Sequence, residues 1–177
     1  MAKARPASPA AKAKSKPQTK SLPQSKSTAA VPEYHLDDHI SYLINRVGIG
    51  LASLFSRDAE QFGMNIPMWR VLAVLIDKRE QRLIDLAELT AIDASTLSRI
   101  TDAMHAKRII SRVRSRLNRR ELVISASEHG REIARALIPA AVRYENQISN
   151  GIPEADIEVT KRTLRRMFSQ LADGTPK

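Results

Sequence analysis

The stretch "LIDLAELTAIDASTLSRITDAMHAKRIISRVRSRLNRRELVIS", Leu83 to Ser125, decides how the rest of the chain is read. It opens with two short helical patterns, Leu83 to Thr90 and Ala94 to about Lys107, separated only by "AID". Asp93 ends that turn, and its carboxylate can accept from the backbone N–H groups that open the second helix. After Ile109 and Ile110 the apolar period changes from helical to alternating. "ELVIS" places Leu122 and Ile124 on one face and Glu121, Val123 and Ser125 on the other. Paired with Arg112 to Arg114, it makes a short hairpin whose near strand and tip hold the arginines. Two short helices on a tight turn, followed by a basic hairpin, describe a winged helix-turn-helix.

The second helix has two faces. Leu97, Ile100, Thr101 and Met104 can point to a core, which leaves Ser95, Thr96, Ser98, Arg99 and Asp102 outside. Small hydroxyl side chains near a helix start let the helix seat deep in a major groove, where its N-terminal end meets base edges and phosphates. Arg99 can then pair bidentately with guanine, a contact worth about 1–3 kcal/mol of base discrimination. Ser95, Thr96 and Ser98 suit phosphates or adaptable base contacts.

Beyond this helix, Lys107, Arg108, Arg112, Arg114, Arg116, Arg119 and Arg120 follow one another between Asp102 and Glu121 with no acid among them. A duplex lying against the hairpin would supply the missing negative charge, and an arginine at the tip can enter a narrow minor groove. Taken alone, such a run also reads as a solvated turn with ordinary surface arginines. Its position directly after a helix-turn-helix favours DNA.

Upstream, Leu36, Ile40, Leu43, Ile44, Val47, Leu51, Leu54 and Phe55 recur every three or four residues, a long amphipathic helix that Gly63 and Asn65 close. Pro67 suits the first turn of a second helix that dissolves in the charged "DKREQR". Downstream, helical spacing resumes near Ser127 and runs through Ile133, Leu137 and Val142, with Pro139 placed to bend it. "NGIPEAD" is a turn into a last helix bearing Ile157, Leu164, Met167, Phe168 and Leu171. The expected fold is mainly α: a winged helix-turn-helix over 67–126 with a two-stranded β-wing. Its flanking helices, over 34–66 and 127–174, form a dimerisation domain. Their apolar stripes exceed what one small reading head can cover, and a two-fold homodimer resolves the surplus.

Charge is unevenly spread over the 177 residues, whose net is +10. Residues 1–32 hold six lysines and one arginine without an acid, leaving 22 basic against 19 acidic residues in the remainder. Residues 1–33, rich in Ala, Lys, Ser and Pro, bury too little apolar surface to offset chain entropy and read as a disordered basic tail. Such a tail is either a mobile arm adding sequence-blind phosphate contacts or a solubilising leader. With no cysteine, disulfides, thiol nucleophiles and thiolate metal sites are excluded. No stretch approaches the roughly 18 apolar residues that span a bilayer, and no secretory signal opens the chain, so the expected location is cytoplasmic, away from the membrane. "HLDDH", His35 to His39, has the spacing for two imidazoles on one helix face but lacks a zinc peptidase's glutamate. Acids near a helix start are ordinary dipole complementation, so neither a metal nor a cofactor is expected. No serine–histidine–aspartate order or carboxylate pair suggests an enzyme.

"IPMWRVLAVL", "LAELTAIDASTLSRITDAMHAKRIISRV" and "NRRELVISASEHGREI" together resemble the second helix, reading head and wing of MarR-type transcriptional regulators, in order. The resemblance covers about residues 35 to 172. It implies a homodimer whose N- and C-terminal helices interlock and whose two reading heads face adjacent turns of a palindromic operator in double-stranded DNA. Repression is the implied sign. Arg120 aligns with the family's wing-tip arginine, and Arg119 sits beside it. Two positions depart from the pattern: Asn118 stands where the family's wing has an aspartate, and Ala91 where glycine is frequent in the turn. A positive φ at Ala91 would cost about 1 kcal/mol.

Regulators of this type often release DNA when a small aromatic acid or its thioester binds between the dimer helices and the reading head. His39, Tyr42, Arg46, Met64, Met68 and Trp69 combine adaptable apolar surface, aromatic faces and one cation in that region. The competing reading makes Trp69 and the methionines plain core and Arg46 an exposed helix charge. A ligand-independent architectural DNA-binding protein is the alternative function, with the basic tail as its main support.

Overall fold

The computed structural model describes residues 33–114 and 122–173. After a single 3-10 turn at Leu36–Asp38 come α1 (Ile40–Glu60), α2 (Ile66–Lys78), α3 (Leu83–Thr90) and α4 (Ala94–Ala106). The strands β1 (Ile110–Arg114) and β2 (Leu122–Ala126) follow, then α5 (Glu128–Ser149) and α6 (Glu154–Asp173). The mainly α winged-helix expectation holds, and α2 and α4 start on capping side chains. The Asn65 side chain accepts from the Met68 amide at 2.9 Å, with Pro67 in the first turn of α2. The Asp93 side chain accepts from the Thr96 amide at 2.8 Å. Gly63 takes φ 63° in the turn before α2, a conformation glycine adopts without steric cost. Pro139 lies inside α5, which runs on to Ser149.

The core lies where the C-terminal end of α1, α2, α3, α4, the strands and α5 meet. Leu72, Leu86, Leu97, Met104, Ile109 and Leu137 are fully buried there. Thr90 and Thr101 are buried polar residues whose hydroxyls donate to the carbonyls of Leu86 and Ser98, so neither carries an unmet hydrogen bond. Between α3 and α4, Ala91 takes φ 52° and ψ 36°, the left-handed conformation that costs a Cβ-bearing residue energy. Its amide still caps α3, approaching the carbonyls of Ala87 and Glu88.

The wing differs from the expected hairpin in two respects. β1 and β2 are antiparallel with Arg112 opposite Ile124 and Val113 opposite Val123, but Gln81 adds a bridge on the far edge of β2. It donates to the Ile124 carbonyl at 2.9 Å and accepts from the Ile124 amide at 2.8 Å. The segment that ends α2 in charged residues is therefore a third, one-residue strand. Val123, assigned by alternation to the outer face, is buried. Val113 stands directly across from it on β1.

Ser127 and Gly130 form the joint between the wing and α5. The Ser127 hydroxyl accepts from the Gly130 amide at 2.9 Å and lies 2.6 and 2.9 Å from the carbonyls of Arg108 and Ile109. A Cβ on Gly130 would stand 2.1 Å from the Ile109 carbonyl oxygen, so only glycine lets α5 start so close to the chain leaving α4. Arg131 completes the joint by donating to the Ala126 carbonyl at 2.7 Å. Arg135 and Arg131 hold the Glu128 carboxyl below its ordinary range at this helix start.

Candidate nucleic-acid interface

The helix α4 turns Leu97, Thr101 and Met104 inward and leaves Ser95, Arg99 and Asp102 exposed, with Thr96 and Ser98 at the margin. Asp93 organises its start. The Ser95 hydroxyl donates to the Asp93 carboxylate at 2.6 Å, and the Thr96 side chain and amide bond to it as well. These bonds, Ser95 first, hold the Asp93 carboxyl well below the usual carboxylate range. Ser95 and Thr96, expected at the DNA, are thus also parts of the helix cap. Arg99, one turn further on, is exposed with no acid at ion-pair distance among the described residues.

Around the wing the expected cations separate. Arg112 crosses from β1 to α4, where its guanidinium pairs with the Asp102 carboxylate and lies 3.4 Å from the Thr101 hydroxyl. The expectation that no acid attends the arginine run is corrected here: the partner is the residue at its N-terminal boundary. Lys107 is exposed, with its ammonium folded beside Gly63 in the turn between α1 and α2. Arg114 is exposed at the end of the described part of β1. Arg116, Arg119 and Arg120 lie outside the described residues, as do Asn118 and the basic tail up to residue 32.

The six residues expected around an effector do not form one cluster. Met64 and Met68 are in the core. Tyr42 and Arg46 lie on the first turns of α1, His39 caps it, and the Arg46 guanidinium sits 5.4 Å from the Tyr42 ring and 3.6 Å from Asp37. Trp69 packs on Phe55 with ring centroids 5.0 Å apart and also lines a cleft of about 440 Å³ between α2 and α5. Ala73, Ile76, Asp77 and Ile138 complete the lining. Ala73 and Ile76 follow Trp69 by four and seven residues, so helical periodicity could have found them. Ile138 belongs to a distant helix and left no such signal.

A solvent-facing helix presented by a tight turn, followed by a two-stranded wing, is the arrangement of a winged helix-turn-helix. Residues 53–137 match the family model described as transcriptional regulator SarA/Rot. No curated protein matches the chain by sequence. Among solved structures, CouR from Rhodococcus jostii RHA1 bound to p-coumaroyl-CoA aligns with a TM-score of 0.71 and 20% identity, over 77% of this chain and 96% of that one. Bordetella bronchiseptica BpsR, whose DNA binding is regulated by 6-hydroxynicotinic acid, aligns at 0.66 and 21%, over 76% and 96%. MepR of S. aureus in its DNA complex aligns at 0.67 and 19%, over 76% and 98%. At these identities the likeness to each structure is one of fold. The matched family model and the shared fold are those of winged-helix transcriptional regulators of the MarR/SarA type. No helix among the described residues is long and apolar enough to cross a membrane.

Proposed function

We propose that the protein is a ligand-responsive repressor that binds a pseudopalindromic operator as a homodimer and is released by a small aromatic acid or its thioester. The observation that carries the DNA reading is Arg99, exposed on a capped helix whose apolar face is locked into the core. Ser98 lies beside it, and Ser95 and Thr96 can meet phosphates through the same helix start. Lys107 and Arg114, together with Arg116, Arg119 and Arg120, supply the remaining positive charge.

Dimerisation is supported by apolar surface that the protomer leaves open. Ile40, Leu43 and Val47 on α1, Val142 on α5, and Leu164 and Phe168 on α6 are each 40% exposed or more. A monomer would carry these as a large wetted apolar patch, and a two-fold partner covers them. Sedimentation at micromolar concentration is expected to give a dimer; a monomer would refute this part.

For the effector, the cleft beside Trp69 has the volume of a small-ligand site and an aromatic wall. CouR and BpsR respectively hold p-coumaroyl-CoA and respond to 6-hydroxynicotinic acid, an aromatic thioester and an aromatic acid. In this chain the charged residue lining the cleft is Asp77, whose carboxylate also meets Lys78 at 3.0 Å. That carboxylate can accept from a phenolic hydroxyl, a group that an aromatic acid or its thioester can carry. The ligand must bind the DNA-incompetent arrangement more tightly to act at all. The test is operator binding by the full chain. A preference of about 10³ or more for the selected duplex over random DNA is expected, with release by an aryl thioester. Equal affinity for all duplexes would refute the regulator in favour of a ligand-independent architectural protein.

A further inference from the structure

The arginine run reads in sequence as a row of phosphate ligands, but one of its members is engaged elsewhere. Arg112 stands on β1, directly across from Ile124, with 29% of its side chain exposed; Asp102, its partner, sits on the reading helix at 59%. The guanidinium reaches the Asp102 carboxylate and the hydroxyl of Thr101, a residue 1% exposed whose own oxygen is tied to the Ser98 carbonyl at 2.9 Å. A second link lies one turn along, where His105 Nδ1 is 3.2 Å from the Ile110 carbonyl. Between these two points the chain leaves α4 through Arg108, which adopts φ 57°. A turn held in the left-handed region by a residue with a Cβ is not rigid by its own preference, so the angle between α4 and β1 needs outside support. The side-chain links supply it.

We infer that Arg112 and Asp102 are a positioning pair: together they fix the wing relative to the reading helix, and Arg112 does not contact DNA. The geometry makes this consequential because α4 and the wing must reach two different parts of the duplex at once. A small rotation about the α4–β1 joint, magnified along the hairpin, takes the wing out of reach of its groove while α4 stays seated. The pair also removes a liability. Asp102 is an exposed anion on the face of α4 turned to DNA, and an unopposed carboxylate there would repel phosphates. Arg112 neutralises it from within the protein, so the two charges are best treated as one neutral unit. The inference rests on the DNA-reading assignment made above for α4.

The experiment is a double-mutant cycle on the full chain, with Asp102→Asn, Arg112→Gln and the double variant. The DNA probe is the duplex that the wild-type protein itself selects from a random-sequence pool. Both substitutions preserve shape at partly exposed positions, and circular dichroism checks that each variant folds. A positioning pair predicts that each single change weakens binding by a similar factor, on the order of threefold to tenfold. The double variant should be no weaker than either single one, and the slope of log affinity against log salt should stay at the wild-type value. A phosphate ligand predicts otherwise. Arg112→Gln would lower that slope by about 0.9 for the one phosphate no longer neutralised, and Asp102→Asn, by removing an anion from the interface, would tighten binding. Tighter binding by Asp102→Asn, or a reduced slope for Arg112→Gln, overturns the inference. Failure of the wild-type protein to prefer its selected duplex over random DNA would instead overturn the regulator reading on which it rests, so the two failures are distinct.

Discussion

Replacing Gly130 by alanine sets two physical effects against each other, and the structure decides which wins. Gly130 lies in the first turn of α5, so helix propensity alone predicts that alanine stabilises the protein by about 1 kcal/mol. The added Cβ, however, would stand 2.1 Å from the Ile109 carbonyl oxygen, where real Cβ atoms essentially never approach within 3.0 Å. The obstacle is backbone, flanked by the Leu72 side chain at 3.4 Å, so no flexible side-chain end can swing aside. Relief requires the start of α5 and the Ile109 peptide to part by roughly the 0.9 Å between 2.1 and 3.0 Å. That movement strains the Ser127 amide and hydroxyl bonds to the same carbonyl, at 3.1 and 2.9 Å. Overpacking costs about 1–3 kcal/mol and each broken hydrogen bond about 0.5–1.5. Set against the propensity gain, the net is a destabilisation of about 1–5 kcal/mol, centred near 3. For a chain of this size that lowers the melting temperature by roughly 10 °C. Urea unfolding of wild type and Gly130→Ala at one protein concentration measures it. A variant as stable as wild type, or more so, would show that the close approach of α5 to Ile109 is not a constraint.

Ala91→Gly should move stability the other way. Relieving the left-handed strain at φ 52° is expected to raise it by about 1 kcal/mol in the same titration, and a loss would mean that the turn carries no strain. Arg99→Ala should relax base choice at one position of the half-site, costing about 1–3 kcal/mol on the preferred duplex and little on random DNA. Selection from a random pool reads this directly, and an unchanged consensus would remove Arg99 from the reading role. Asp93 yields a pH prediction. Its carboxyl is depressed by the Ser95 hydroxyl and then by Thr96, so its stabilising contribution is present above the unfolded value, about 3.9, and fades only as pH falls through the lower folded value. The Thr96 amide resonance should therefore keep its neutral-pH position down to about pH 4; movement centred on the ordinary carboxylate value would contradict the cap.

The parts of the fold legible in the sequence are those with a period or a cap. The change from helical to alternating spacing after Ile110 marks the wing, and Asp93 marks the start of α4, because each leaves a local signature in consecutive residues. Pairings without periodicity are illegible. Gln81 pairs with Ile124 through backbone alone, which any residue type could do, so its strand role has no compositional trace. Asp102 is visible in the sequence only as the boundary of the arginine run, since nothing in a linear charge count says that a helix and a strand ten residues apart fold their side chains together. Trp69 does line the cleft, yet Met64 and Met68, expected beside it, turn into the core, and Ala73, Ile76 and Asp77 take their places. Apolar type tells that such residues avoid water, and only the direction of each side chain tells which element shields them.

The two exposed acids at the start and in the later turns of α4 show why composition alone misjudges such a surface. Asp93 and Asp102 bracket the expected reading residues, and two bare carboxylates there would weaken any approach to phosphate. Neither is bare. Asp93 lies at the positive end of the α4 dipole and accepts from Ser95 and Thr96, while Asp102 is matched by Arg112. Each acid therefore organises the helix with its charge already matched, one by capping its start and the other by tying its later turns to the wing. With Arg112 matched by Asp102, the cations proposed to meet a duplex are Arg99, Lys107 and those beyond Arg112, fewer than the row of seven suggests. Affinity in this protein should accordingly depend on where the wing is held at least as strongly as on how many arginines it carries.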